Sequence, residues 1–124
     1  REDANDYLAK AEAIHNAEIF EDFYAISECD SENTVSPTLV CAQAANDLLN
    51  IKGIKASFVL TLYDNKIFIS ARSMDEVNVQ TIMEKLGGGG HRSVAGAQLK
   101  ENSIEDAKVR VKAVLKEMIE KGEI

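Results

Sequence analysis

Ala56-Ser57-Phe58-Val59-Leu60-Thr61-Leu62-Tyr63, then Asp64-Asn65, then Lys66-Ile67-Phe68-Ile69-Ser70-Ala71-Arg72 is the stretch on which the fold turns. Both halves read as strands, and Asp64-Asn65 between them suits a tight hairpin, so the two pair antiparallel. Along the second half Phe68, Ser70 and Arg72 share one face, while Ile67, Ile69 and Ala71 share the other. Upstream, Phe20 to Cys29 is rich in aromatic and branched residues and reads as a further strand. Downstream, Val94 to Leu99 is small and apolar and reads as the last one.

Helical patterns alternate with these strands. Tyr7, Leu8, Ala11 and Ile14 recur at helical spacing within Asp6 to Ala17, where His15 reads as a surface residue. Ser36 is placed to cap a helix with Pro37 in its first turn, and Cys41, Ala44, Ala45, Leu48 and Leu49 form its apolar stripe; Gly53 is placed to close it. Asn78 opens a short helix with an apolar face of Val79, Ile82, Met83 and Leu86, ending at Gly87. Ser103, with Asp106 three residues on, starts a long helix packed through Ile104, Ala107, Val111, Val114, Leu115 and Met118. Its Lys108, Lys112 and Lys116 read as a solvated basic stripe. Alternating helices and strands with one forced antiparallel pair predict an α/β fold: a single domain whose mixed sheet of about four to five strands is flanked by helices.

Composition narrows the function. The 124 residues suit one compact domain. With 14 basic and 21 acidic residues the formal charge is −7, which repels polyanions at long range and disfavours a general nucleic-acid binder. One short phosphate ligand held by a local basic site remains compatible. No apolar run approaches the roughly 20 residues of a bilayer span, and no signal peptide is visible. Because the chain does not begin with Met, it reads as a piece of something larger. Cys29 and Cys41 lack metal-ligand spacing and read as reduced, partly buried thiols, and His15 and His91 are the only histidines.

The chemistry concentrates at Gly87-Gly88-Gly89-Gly90-His91. Consecutive glycines are costly to order, so a chain keeps them where only glycine fits. Two readings stand equal on the glycines alone: a hinge or crowded turn, or a nest of N–H groups that a phosphate approaches closely. His91 tips the balance toward the phosphate, since an imidazole there can donate to an oxygen or move a proton. Arg72 adds a planar fork suited to a phosphate, with Ser70 and Ser73 beside it. The glycines match neither a Walker loop nor a dinucleotide fingerprint. No catalytic triad or metal cluster can be assembled by spacing. The chain reads as half of an active site.

Ser70-Ala71-Arg72-Ser73, Asn78-Val79, Gly87-Gly88-Gly89-Gly90-His91 and Ala95-Gly96-Ala97 together resemble the DHHA1 domain of DHH-family phosphoesterases. The run from Ser70 to Leu99, with Ile51 to Val59, is most similar to the bacterial membrane-anchored cyclic-di-AMP phosphodiesterases. The resemblance implies that residues 18–124 form the substrate-binding domain and that 1–17 is a helix leading from an upstream DHH domain. It implies that Arg72 contacts a substrate phosphate, that the backbone of Gly88, Gly89 and Gly90 cradles it, and that His91 acts catalytically at the scissile bond. Ser73, Asn78 and Ala95 would line the nucleotide pocket, whereas Arg92-Ser93-Val94 departs from the family pattern. No metal ligand or cofactor is expected in this chain. Two Mn²⁺ ions are expected in the DHH domain, supporting two-metal hydrolysis of cyclic di-AMP to pApA. The implied partners are a cyclic dinucleotide or short oligonucleotide and the DHH domain of the same chain, and a homodimer is compatible. The implied setting is a cytoplasmic domain of a membrane-anchored protein that itself makes no membrane contact. An oligoribonuclease or pAp-phosphatase domain and a non-catalytic RNA-binding module are the alternatives.

Overall fold

The computed structural model describes residues 1–74 and 76–124. Its elements are α1 (Ala4–His15), β1 (Glu18–Phe20), β2 (Tyr24–Glu28), α2 (Pro37–Leu48), β3 (Ala56–Tyr63), β4 (Lys66–Ser73), α3 (Val79–Glu84), β5 (Gly89–Gly90), β6 (Val94–Leu99) and α4 (Ile104–Glu120). They build one six-stranded sheet of order β1-β2-β3-β4-β6-β5. The expected mixed sheet is present, with more strands than anticipated. The Phe20–Cys29 segment is two strands, because Glu21 and Asp22 both take positive φ and fold it into a hairpin. The glycine segment supplies the other addition, β5. The central hairpin forms as expected, with Asp64 and Asn65 at φ 54° and 59°, a turn whose twist matches the flanking strands.

β2 and β3 run parallel, with Tyr24 opposite Ala56 and Glu28 opposite Leu60, and α2 makes the crossover that a parallel pair requires. β3, β4 and β6 then pair antiparallel. Since opposed residues share a face, the registers sort the sheet into two surfaces. One carries Ile26, Phe58, Leu60, Ile67, Ile69, Ala71, Ala95, Ala97 and Leu99, all buried with α3 and α4 in the larger core. The other carries Ala25 and Val59, buried under α1 and α2 with Cys29, Val40, Cys41, Ala44, Ala45 and Leu48. Ser27, Ser57 and Thr61 are buried on this second face because each hydroxyl finds a carbonyl: Ala13, Ala45 and Cys29 respectively.

Several local expectations change. Tyr7, Leu8 and Ala11 do not face the core. Tyr7 is 58% and Leu8 63% exposed, and α1 instead packs through Asp6, Ala9 and Ala13. Asp6 is buried because its carboxylate accepts the Val35 N–H at 2.7 Å, which ties α1 to the loop before α2. Ser36 precedes α2 as expected, with Pro37 in the first turn, but its side chain makes no capping bond. Leu49 already closes that helix, so Gly53 uses its positive φ in the following loop. Ser103 caps α4 through the Asp106 N–H. Cys29 and Cys41 are both free thiols and fully buried. A hydrogen bond with Cys29, together with burial, pushes the Cys41 thiol above its usual range.

The basic stripe of α4 is not simply solvated. Lys108 lies 2.7 Å from Glu28 and Lys112 lies 2.9 Å from Glu18, so two of the three lysines pin the helix to β2 and β1, while Lys116 is exposed. Burial pulls the Lys108 pKa down, but the hydrogen bond and charge of Glu28, helped by Glu105 and Glu18, outweigh it and the net shift is upward. A raised lysine pKa stabilises the fold below the unfolded value, and that contribution disappears as pH rises through the folded value. Lys108→Met is therefore expected to lower stability near neutral pH by at most about 1 kcal/mol. In urea denaturation the gap from wild type should close on the alkaline side of the lysine titration.

Candidate phosphate site on the uncovered strip of the sheet

α1 and α2 cover the second face over β2, β3 and part of β4, and α3 packs on β6 from the opposite side. A strip of sheet running from β4 across β6 to β5 is left uncovered on the α2 side. Register places its residues in rows. Arg72 stands opposite Val94, whose carbonyl accepts the His91 N–H at 2.8 Å. Ser70 stands opposite Gly96, which stands opposite Gly89. Phe68 stands opposite Gln98. The bond to Val94 thus puts the His91 backbone in one row with Arg72, two strands away, or about 10 Å between backbones.

Arg72 is half-buried, and among the described residues only its Nη1 is engaged, donating to the carbonyl of Ala71 at 2.9 Å and more weakly to that of Ala95 at 3.5 Å. Both contacts draw the guanidinium toward β6 and the open strip. No carboxylate among the described residues pairs with it. Burial lowers its pKa, yet a guanidinium stays charged at neutral pH, so the rest of its fork is a cation awaiting acceptors. His91 is exposed at the tip of the β5–β6 turn. That turn is held by backbone bonds from Ser73 N–H to Ser93 and from Val79 N–H to Arg92, at 3.1 and 2.9 Å.

The glycines separate into distinct roles. Gly87 has φ +82°, which closes α3, and its N–H bonds the Glu84 carbonyl. The Gly88 N–H is also spent, on Met83 at 2.8 Å, so the expected nest of N–H groups running through Gly88 does not form. What Gly88 provides is proximity, since a Cβ there would lie 2.1 Å from the Gly96 carbonyl oxygen. At Gly90 a Cβ would lie 2.6 Å from Ala95, and its φ of +142° also disfavours a side chain. The bond from His91 N–H to Val94 turns the Gly90 N–H away from β6, by the alternation of an antiparallel ladder. Gly89 alone has neither a positive φ nor any atom within 4 Å of a built Cβ. Its bare α-carbon faces the strip.

Three expected pocket residues are placed elsewhere. Ser73 projects from the face opposite Arg72 and donates to the Val77 and Arg92 carbonyls at 2.6 and 3.3 Å. It positions the turn that carries His91. Asn78 caps α3, its Oδ1 accepting the N–H groups of Gln80 and Thr81. The Ala95 side chain is buried in the core, and only its carbonyl approaches Arg72. Conversely, Gly96 and Gln98 help line an open cavity of about 540 Å³ with Phe68, Gly87 and Gly88. Gln98 escaped notice because a single polar residue in a short strand carries no pattern of its own; β-register alone puts it beside Phe68. Among the described residues no group of three or more His, Cys, Asp or Glu is gathered to hold a metal, and no helix is long and apolar enough to cross a membrane.

A charged fork and an imidazole border a strip of sheet in an α/β domain, with Gly89 and Gly96 between them. The comparisons are more specific: residues 22–117 match the DHHA1 domain family, and the chain belongs to that family. It is 44% identical over 108 residues to the cyclic-di-AMP phosphodiesterase PdeA of Listeria monocytogenes, covering 86% of this chain and 16% of that protein. It is 41% identical over 123 residues to the cyclic-di-AMP phosphodiesterase GdpP of Geobacillus thermodenitrificans, covering 98% of this chain and 18% of that protein. The chain thus spans less than a fifth of the length of either relative. The same fold recurs in an exopolyphosphatase-related protein from Bacteroides fragilis, with a TM-score of 0.78 at 21% identity, covering 94% of this chain and 36% of that one.

The glycine roles predict opposite outcomes at neighbouring positions. Gly88→Ala should destabilise the domain by at least about 1–3 kcal/mol, because β5 must move off β6. Gly89→Ala should leave stability within about 0.5 kcal/mol of wild type. Chemical denaturation of the two variants distinguishes them.

Proposed function

We propose that this chain is the substrate-clamping domain of a DHH-family phosphodiesterase that opens cyclic di-AMP to pApA. The observation that carries the reading is Arg72, charged and without a carboxylate partner among the described residues, in one row with His91 beside the bare Gly89–Gly96 strip. The kinship with the two cyclic-di-AMP phosphodiesterases supports the choice of substrate.

In this reading a phosphate settles on the strip. Arg72 pairs with its non-bridging oxygens and His91 hydrogen-bonds it from the other side, while the missing side chain at Gly89 admits close approach. These groups hold the diester in place and offset charge that builds on its oxygens during hydrolysis. Two Mn²⁺ ions would belong to a DHH domain preceding this one in the parent chain. They would supply the activated water. The parent is read as membrane-anchored, with this domain on its cytoplasmic side and facing the DHH domain across the substrate.

In the parent protein, Arg72→Ala and His91→Ala should each lower kcat/KM for cyclic di-AMP by about 10²–10³-fold with the fold intact. Gly89→Ala should weaken substrate binding while leaving thermal stability unchanged. Assaying cyclic di-AMP, pApA and pAp side by side tests the substrate, and preference for pAp would redirect the reading to the oligoribonuclease branch. The 124-residue chain alone should bind weakly and turn nothing over. Mn²⁺-dependent hydrolysis by it would refute the clamp role.

A further inference from the structure

The phosphate reading accounts for one end of the uncovered strip and leaves the other unexplained. Two residues along β4 from Ser70, about 7 Å away, Phe68 occupies the same face as Arg72 with Gln98 directly across on β6. Phe68 is partly buried, and Gln98 is exposed. Tyr63, diagonal to Phe68 across the β3–β4 hairpin, places its ring 6.2 Å from the Phe68 ring at 51°. That tilted contact braces the Phe68 ring from the side away from the glycines. Between this pair and the Arg72–His91 row lies the Ser70–Gly96–Gly89 row, where two of three positions have no side chain. The Phe68–Gln98 end opens into the 540 Å³ cavity bordered by Gly87 and Gly88.

We infer that Phe68 and Gln98 form a nucleobase subsite, in which a purine stacks on the Phe68 ring and the Gln98 amide reads its edge. This rests on the phosphate reading above and adds to it the recognition of the base. The order along the strip is that of a nucleotide: phosphate at Arg72 and His91, sugar over the side-chain-free Gly89 and Gly96, base at Phe68. An aromatic face stacks on any base, so Phe68 supplies affinity. A glutamine amide presents a donor and an acceptor together, the pairing that suits the adenine N6/N7 edge, so Gln98 supplies preference. Ser70 lies beneath the sugar position and can bond a ribose hydroxyl. A ring pair serving only to pack the sheet would be indifferent to which base a ligand carries.

The test titrates the full chain with AMP, GMP and ribose 5-phosphate, following amide chemical shifts. Wild type should bind AMP more tightly than ribose 5-phosphate and more tightly than GMP. Phe68→Leu, which keeps apolar volume, should weaken AMP about tenfold and leave ribose 5-phosphate unchanged. Gln98→Ala, at an exposed position where folding is not at risk, should narrow the difference between AMP and GMP. The inference is overturned if both variants bind AMP like wild type, or if ribose 5-phosphate weakens by the same factor as AMP. Failure of wild type to bind any of the three, or binding indifferent to Arg72→Ala, would instead bring down the phosphate reading and this subsite with it.

Discussion

Alternation along β4 governs the arrangement of this domain. Ile67, Ile69 and Ala71 enter the core beneath α3 and α4, which obliges Phe68, Ser70 and Arg72 to the opposite face. A slip of one residue would drive Arg72 into an apolar core and bring isoleucines onto the strip. The cost of burying an unpaired guanidinium makes that register untenable. The pull of three apolar side chains therefore positions the polar ones. The site is held by packing on the side of the sheet it never touches.

The second constraint is the contact of two backbones. β6 would be the edge of the sheet, with unpaired peptide groups, but for the two-residue β5 that covers part of it. Only glycine lets the chain come down from α3 and lie against β6 so closely, as the short Cβ distances at Gly88 and Gly90 demonstrate. The same geometry that permits this approach leaves Gly89 and Gly96 presenting backbone to the solvent. Close packing and open backbone thus share a motif but divide it residue by residue. Ser73 links the two, since it sits on the core side yet bonds the carbonyl of Arg92 in the turn that carries His91.

The acidic character of the chain fits a site of this size. The formal charge of −7 would repel a long polyanion, while Arg72 on the strip would act on a small anion at contact range, where distant carboxylates have little effect. Lys108 and Lys112 of α4 are occupied with Glu28 and Glu18. Little of the positive charge of the long helix is left for a nucleic-acid backbone. The RNA-binding alternative loses support for that reason.

The amino-acid sequence on its own determined the alternation of helices and strands, the central hairpin, the two faces of β4 and the pairing of Arg72 with the glycine-histidine segment as chemistry. These are local matters of period two, period 3.6 and turn preference, which a linear chain displays. The hairpin at Glu21-Asp22 was not legible, because Glu21 is an unusual bearer of positive φ and the pair sits inside a run of aromatic and branched residues that reads as one strand. Nor was the buried face of α1, where a hydrogen bond to Val35 turns Asp6 inward and leaves Tyr7 and Leu8 outside. Tertiary structure alone decided which glycine serves which purpose, that Ser73 positions the turn before β6, and that Gln98 stands beside Phe68. Each of those depends on which strand lies opposite which, and residues from Tyr63 to Gln98 meet only when the sheet closes around them.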